Sequence, residues 1–358
     1  MEHKGLLFIP DISGFTRFVS ETEIDHSRRI IQELLEVVVD SNQLGLDVSE
    51  IEGDAVLFFK FGASPDLKQL YEQVARTFRA FHERLAAYEI RRFCQCRACV
   101  ATGSLTLKII THYGEFTSYN VRTFNKLIGK DVIVAHQLLK NDIDQHEYWL
   151  ITPDLLQVGP PTDLPGWIEW NRGSKSTENG DVPFQYTPLS ELRRNLTLRP
   201  LRDLELPSKT RMFTASRDYA AHIITLFHAT GDFTHRSRWQ EGVRRVEEVS
   251  HYLPRVGMQC RRVMEDGQVT VYASSYSFQP DRIEFSETDA DRNASSHFTL
   301  EKLDTYRTRL TVDFYLKRGP VRELLFTMRK KKAMEASLNR SLLNLDGLVK
   351  EIRVPVDY

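Results

Sequence analysis

Two short apolar segments, each carrying an aspartate, constrain this chain more than any other feature. Leu6–Thr16 reads Leu-Leu-Phe-Ile-Pro-Asp-Ile-Ser-Gly-Phe-Thr, and Glu50–Phe59 reads Glu-Ile-Glu-Gly-Asp-Ala-Val-Leu-Phe-Phe. Each places one carboxylate, Asp11 or Asp54, at the end of an apolar strand and beside small residues. Oxygen ligands suit Mg²⁺, and the backbone N–H groups of such a turn can meet phosphate oxygens. The pair predicts a cation site; the alternative is that both aspartates only cap turns.

The order of the predicted elements indicates an α+β fold. Hydrophobic periodicity gives strands and helices in the order β-α-β-β-α-β followed by α-β, with predicted strands at Gly5–Ile9, Leu44–Ile51, Ala55–Phe59, Leu105–Thr111 and Tyr148–Ile151. This order is typical of the split-βαβ, or ferredoxin-like, plan.

The length of the chain, 358 residues, predicts two domains. We place the first at residues 1–158 and the second at residues 205–358. Residues 159–204 are rich in turn-forming sequence such as Gly159-Pro160-Pro161, and we expect a linker with some local order. The second domain contains several predicted strands and then one long amphipathic helix, Val321–Leu348.

Composition excludes several classes of protein. A net charge of −1 argues against a general nucleic-acid binder, which would carry a basic surface excess. No apolar run reaches the length of a membrane span, and the N-terminus leads into a strand-like run rather than a signal sequence. We therefore expect a cytoplasmic protein with no nucleic-acid or membrane partner.

Three of the four cysteines form a cluster, Cys94, Cys96 and Cys99, spaced C-x-C-x-x-C. Three thiols can seed a zinc or iron–sulfur site, with Cys260 or a partner chain supplying a fourth ligand. Structural zinc sites usually pair two such clusters, and no second cluster is present. The alternative, reduced thiols at a strand edge, stays open.

Four segments in register resemble class III nucleotidyl cyclases, the adenylyl and guanylyl enzymes. Asp11-Ile12-Ser13-Gly14-Phe15-Thr16 resembles their first metal-binding segment, and Gly53-Asp54-Ala55 resembles their second. Leu107–Glu115 resembles the strand that ends in His-x-Gly-Glu, and Leu127–Ala135 resembles the Gly-x-x-Val-Asn-x-Ala segment. The resemblance covers roughly residues 5–157 and implies a cyclase-like α+β domain.

The resemblance also implies roles for individual residues. Asp11, Ile12 and Asp54 would hold Mg²⁺ or Mn²⁺, and the two aspartates would be the catalytic pair of an active enzyme. The segment Gly14-Phe15-Thr16 would hold phosphates. Glu50 stands where guanylyl cyclases read the base, and Lys126 stands at the second base-reading position. Cyclase sites form between two such domains, so the resemblance implies a homodimer.

Two departures from the cyclase pattern affect catalysis. Ile133 and Gln137 stand where active members carry an Asn and an Arg that orient the ribose and stabilise the transition state. Losing an Arg that meets developing phosphate charge costs roughly 10³-fold or more in rate. We therefore predict metal and purine nucleotide binding rather than efficient cyclisation, with Arg122 and Lys126 as the nearest substitute cations if turnover persists.

Residues 208–355 resemble the START/polyketide-cyclase-like superfamily, whose helix-grip fold wraps a curved sheet around a long C-terminal helix. The resemblance lies in the order of elements and in His235–Val243 followed by Leu253–Gly257. It implies a cavity for a hydrophobic small ligand; a filled core that serves as an interaction module is the alternative.

The leading prediction is thus a signalling protein that joins a degenerate cyclase-like domain to a START-like domain. An active nucleotidyl cyclase, preferring GTP to ATP because of Glu50, is the second hypothesis. A ligand-binding or scaffolding protein that uses no nucleotide is the third.

Overall fold

A computed structural model describes residues 3–22, 24–91, 96–122, 124–156, 164–177, 180–196, 209–248, 256–265 and 267–352. The chain divides into two compact units. The first comprises residues 1–89 and 101–198, and the second comprises residues 90–100 and 199–358. None of the helices in the described ranges combines the length and the apolar character that crossing a membrane requires.

The first half of the chain alternates strands and helices. In chain order the elements are β1 (His3–Ser13), α1 (Phe15–Glu21), α2 (Ile24–Asp40), β2 (Asp47–Glu52), β3 (Ala55–Phe61), α3 (Leu67–Arg91), α4 (Arg97–Ala101), β4 (Thr106–Val121), β5 (Phe124–Ile128), α5 (Lys130–Leu139), β6 (Tyr148–Ile151), α6 (Pro153–Leu156), β7 (Asn171–Thr177), β8 (Gly180–Pro188) and α7 (Ser190–Arg194).

Strand β1 is an interior strand of the first sheet, whose order is β2-β3-β1-β4-β6-β8-β7, with β5 paired to β4. It is antiparallel to both neighbours, and β4 is parallel to β6. Its residues Leu6–Ile9 are all buried, as expected for a strand that is covered on both faces. One of these faces packs against Val134 and Leu138 of α5. The predicted split-βαβ plan is therefore present.

Part of the region that we predicted as a linker extends this sheet. Strands β7 and β8 form a hairpin, and β8 pairs antiparallel with β6. The buried Phe184 of β8 belongs to the same apolar cluster as β1 and α5. Glycine and polar residues dominate β7, so the hydrophobic alternation that signals a strand is weak there.

The second unit is a single antiparallel sheet with helices against it. In chain order its elements are β9 (Lys209–Tyr219), α8 (Ile223–Gly231), α9 (Arg236–Trp239), β10 (Val243–Glu248), β11 (Gln259–Met264), β12 (Gly267–Gln279), β13 (Arg282–Asp289), β14 (Ala294–Asp304), β15 (Arg307–Lys317), α10 (Pro320–Arg329) and α11 (Lys331–Glu351). The sheet order is β10-β11-β12-β13-β14-β15-β9.

Helix α11 closes the core of this unit with Leu342, Leu345 and Leu348, which belong to the main apolar cluster of the sheet and α8. The single predicted helix, Val321–Leu348, is two helices, because Lys330 (φ −119°) separates α10 from α11. The predicted α+β class, with a ferredoxin-like cyclase-type unit followed by a helix-grip unit, is confirmed by this topology.

Candidate functional site

The two predicted aspartates lie next to each other at one edge of the first sheet. Antiparallel pairing sets Asp11, near the end of β1, opposite Ala55, the first residue of β3. Asp54 lies in the turn just before Ala55, and its carbonyl accepts a hydrogen bond from the Ile12 amide at 2.9 Å. Gly53 has a φ of +61°, a left-handed conformation that glycine adopts without a Cβ penalty. Strand register and turn together therefore bring both carboxylates to one place.

Burial disfavours the ionised form of both carboxylates. Asp11 is only 9% exposed. Burial raises the pKa of Asp11 to about 6, with nearby Lys108 acting to lower it and Asp54 acting to raise it. Burial also raises the pKa of Asp54. A cation bound between the two groups would relieve both effects, because opposite charge favours the ionised form.

Lys108 is a site residue that we did not predict. It lies on β4 directly opposite Asp11. Its Nζ atom is 3.7 Å from Asp11 Oδ2 and donates a hydrogen bond to the Leu139 carbonyl at the end of α5 at 3.1 Å. Lys108 is the one charged residue in the predicted strand Leu105–Thr111, and that isolation was the available signal.

A cavity of about 890 Å³ opens beside the aspartates. The predicted phosphate segment Gly14-Phe15-Thr16 lines it, as do Asp11, Ile12, Asp54 and Glu50. Ser13 Oγ and Gln137 Oε1, which belong to two further lining residues, are buried and make no hydrogen bond to any described residue. Buried polar atoms are normally hydrogen-bonded, so these two point to a ligand or water in the cavity.

The two predicted base-reading residues, Glu50 and Lys126, contact each other. Lys126 Nζ donates to Glu50 Oε2, and His136 Nε2 lies 3.8 Å from Glu50 Oε1. The hydrogen bond to Glu50 raises the pKa of Lys126. Both oxygens of Glu50 therefore already have a basic neighbour. Glu50 and His136 line the cavity.

The positions of the missing catalytic side chains also face the cavity. Ile133 and Gln137, one turn apart on α5, both line it. The basic residues on the cavity wall, besides the histidines, are Arg17, Lys108 and Lys140. Arg122, predicted as a substitute cation, instead lies in the turn that joins β4 to β5, with a φ of +55°.

The two remaining cyclase-like segments, Leu107–Glu115 and Leu127–Ala135, form hydrogen bonds that connect α5 to β4. His112 Nε2 lies 3.1 Å from Asp131 Oδ1, and the Glu115 amide donates to Asp131 Oδ2 at 2.6 Å. The hydrogen bond with His112 lowers the pKa of Asp131. A Cβ at Gly114 would come within 2.3 Å of the Asp131 carboxyl carbon. His112, Gly114 and Asp131 thus position α5, and through it Gln137.

Of the predicted thiol cluster, Cys94 lies outside the described residues. Cys96 and Cys99 are both buried and form no disulfide with any described cysteine. Cys96 immediately precedes α4, and its carbonyl accepts from the Val100 amide at 3.0 Å. Cys99 follows three residues later, a spacing that places two residues on one face of a helical turn. Burial raises the pKa of Cys260, the suggested fourth ligand, to about 11. The zinc or iron–sulfur interpretation stays a prediction.

The second unit has a cavity of about 310 Å³ between its sheet and α11. Its wall is mixed: Phe213, Phe314 and Leu338 are apolar, whereas Arg262 and Glu287 are charged. The charged pair was not anticipated from sequence, because β11 and β13 are separated by a whole strand and only the sheet order shows which side chains meet.

Comparison with known families and proteins gives two sequence matches. A family model described as a protein of unknown function (DUF2652) matches residues 31–148. An uncharacterised protein of Mycobacterium tuberculosis is 29% identical over 125 residues, which is 35% of this chain and 58% of that protein. The chain thus spans 58% of the length of the curated relative that it matches.

Solved structures similar to this chain include nucleotidyl cyclase domains and a START superfamily protein. The guanylate cyclase domain of RhGC from Catenaria anguillulae, in complex with GTP, is 17% identical over 52% of this chain and 97% of that chain (TM-score 0.38). The adenylyl cyclase CyaB from P. aeruginosa is 15% identical over 52% and 95% (TM-score 0.33). A START superfamily protein from Mycobacterium smegmatis is 18% identical over 40% and 100% (TM-score 0.32). At these scores the assignment of both folds rests on the chain's own topology.

Proposed function

We propose that the first unit binds a divalent cation together with a purine nucleoside triphosphate, and that the chain acts as a signalling protein rather than as an efficient cyclase. The observation that carries the proposal is the position of Asp11 and Asp54. Both line one cavity of about 890 Å³, which is within the range of roughly 300–1,000 Å³ for ligand sites.

The donor set around the aspartates fits Mg²⁺ or Mn²⁺. Two carboxylates supply the oxygen ligands that these ions prefer. Lys108 supplies one positive charge against two negative charges, so room for further positive charge remains. The raised pKa values of Asp11 and Asp54 also indicate that the negative charge of these carboxylates is not fully compensated.

Other wall residues suit the nucleotide. Arg17 and Lys140 carry positive charge at the cavity, as a triphosphate requires. Ser13 and Gln137 each offer a buried atom that lacks a partner among the described residues. Glu50 already contacts Lys126 and His136. Its carboxylate can nevertheless accept hydrogen bonds from the donor edge of guanine. We therefore place GTP before ATP.

The same cavity argues against rapid cyclisation. Ile133 can neither donate a hydrogen bond nor carry charge, and Gln137 carries no charge to meet the transition state. An absent arginine of this kind costs roughly 10³-fold or more in rate. A working cyclase would need Arg17, Lys108 or Lys140 to substitute, and these are the basic side chains, other than histidines, on the described wall.

Binding and turnover are separable in one experiment on the full chain. Isothermal titration with GTP or ATP plus Mn²⁺ should give saturable binding that Asp54→Ala abolishes. Asp47→Asn, which removes an exposed carboxylate of β2 away from the cavity, should leave binding unchanged. The same samples, assayed for 3′,5′-cyclic products, should contain none. Product that disappears in Asp11→Ala would establish a cyclase, and no binding of either nucleotide would leave a non-nucleotide ligand-binding or scaffolding protein.

We also propose that the second unit binds a small molecule with an apolar body. The cavity of about 310 Å³ between sheet and helix supports this proposal, since a filled core would leave no such space.

A further inference from the structure

The wall of the second-unit cavity carries a buried charge cluster. Glu287 of β13 is shared by two guanidinium groups: Arg236 Nη2 donates to Oε1, and Arg262 Nη2 donates to Oε2. The side chains of Arg236 and Glu287 are 1% and 4% exposed, and that of Arg262 is 11% exposed. Among these three hydrogen-bonded side chains, two positive charges share one negative charge in a poorly solvated place. The charge of Asp232 also acts on Arg236, and Glu287 is the carboxylate that acts on Arg262.

The other carboxylates nearby form their described hydrogen bonds with groups outside the cluster. Asp232 accepts from the Thr234 amide at 2.8 Å. Asp289 accepts from the Asn293 amide at 2.7 Å and the Ala294 amide at 3.1 Å. A third carboxylate on the cavity wall, Glu241, pairs with Arg340, whose Nε lies 2.7 Å from it. None of the three makes a described hydrogen bond to Arg236 or Arg262.

The two arginines differ in how their charge is accommodated. The guanidinium carbon of Arg236 lies 4.9 Å from the Trp239 ring centre and 5.3 Å from that of Phe298, so aromatic faces stabilise its charge. The Nε atoms of both arginines make no hydrogen bond to any described residue, but of the two only Arg262 lines the cavity. Gln240, which also lines the cavity, has a buried Oε1 without a described partner. The excess charge therefore faces the cavity at Arg262.

We propose that this cavity binds a small organic acid with an apolar body, and that Arg262 holds the acid group; this rests on the proposal above that the second unit binds a small molecule. A monoanion matches the single excess charge. The guanidinium fork suits a carboxylate, because two parallel N–H groups can donate to its two oxygens. The apolar body would lie against Phe213, Phe314 and Leu338 on the same wall.

The test compares ligands of one shape with and without the acid group, using the full chain. The probes are anilinonaphthalene sulfonate and phenylnaphthylamine, its parent without the sulfonate, followed by displacement with octanoate or octanamide. We expect each acid to bind at least about tenfold more tightly than its uncharged counterpart, since hydrogen bonds to charged groups carry roughly that discrimination.

Substitutions test whether the preference for acids over uncharged ligands arises at this cavity. Arg262→Gln should reduce the acid to the affinity of its uncharged counterpart, and Arg262→Lys, which keeps the buried charge, should retain a smaller preference. Arg261→Gln is the matched control, because Arg261 neighbours Arg262 on β11 but does not line the cavity and pairs with Glu247 at 3.3 Å. Leu338→Trp should fill the cavity and weaken binding of both members of each pair.

Two results would overturn the inference in different ways. Equal affinities for acid and uncharged ligand, both lost in Leu338→Trp, would refute the acid preference and leave small-molecule binding standing. Absence of saturable binding for all four compounds would refute both. An acid preference that survives in a folded Arg262→Gln protein, checked by circular dichroism, would remove Arg262 from the site.

Discussion

A buried carboxylate such as Asp11 destabilises the folded state when it is ionised, unless positive charge lies against it. Lys108 supplies some of that charge from 3.7 Å, and yet the pKa of Asp11 stays raised at about 6. The compensation is therefore incomplete in the metal-free protein. Between about pH 4 and pH 6, Asp11 holds a proton in the folded state, whereas the unfolded state, with a pKa near 4, has already released it.

Stability should accordingly fall as pH rises through the interval between about 4 and 6, and stay lower above it. We expect Asp11→Asn, which cannot ionise, to be more stable than the natural protein above about pH 6, by at most about 3 kcal/mol, in the presence of a chelator. Urea denaturation at about pH 8 measures the difference, and Mn²⁺ should stabilise only the natural protein. An Asn variant that is less stable at every pH would show that Lys108 compensates Asp11 fully.

At the scale of elements, α5 is held against β4 by polar contacts as well as by apolar packing. Asp131 accepts from the Glu115 amide and contacts His112, and Gly114 leaves the space for its carboxylate. The sequence showed only that this region resembles two segments of cyclases. In the structure its residues hold a helix that presents Ile133 and Gln137 to the cavity.

Gly114→Ala should therefore displace α5. The added methyl group would lie 2.3 Å from the Asp131 carboxyl carbon, and overpacking of this kind costs about 1–3 kcal/mol. Gly166→Ala is the control, because no atom lies within 4 Å of a Cβ there, and we expect it to change stability by less than about 0.5 kcal/mol. Denaturant melts and nucleotide titration test both variants. Equal stability of the two proteins would mean that Asp131 relaxes without moving the helix.

Several features that depend on local pattern were predicted from the sequence. An apolar strand followed by a Gly-Asp turn located Asp54, and the same logic located Asp11. Cross-strand partners could not be located in this way, because register is not visible in one strand: Lys108 meets Asp11 only through the pairing of β1 with β4. The Arg236–Glu287–Arg262 cluster required the sheet order of the second unit. The sequence thus indicated the positions of Asp11 and Asp54, whereas residues that come together only through strand register or sheet order were missed.

At the scale of the whole molecule, the first unit exposes four large apolar side chains on neighbouring elements. Ile51 on β2, Val121 at the end of β4, Ile128 on β5 and Ile133 on α5 are each more than half exposed, at 52%, 52%, 57% and 54%. The three strands are neighbours, since β5 pairs with β4 and contacts β2, and helix α5 contacts β4. Several exposed apolar residues in one region often mark an interaction surface.

We expect a second copy of the chain to cover this surface. In a symmetric dimer the same patch would then be buried on both subunits. Light scattering after size exclusion should give twice the chain mass. Ile128→Asp should reduce it to the monomer, since a desolvated charge opposite its own copy is unfavourable. The control is Val269→Asp on the second unit, where a valine is 41% exposed. Nucleotide affinity should fall with Ile128→Asp if the partner contributes to the cavity, whereas a dimer that persists in this variant would place the interface elsewhere.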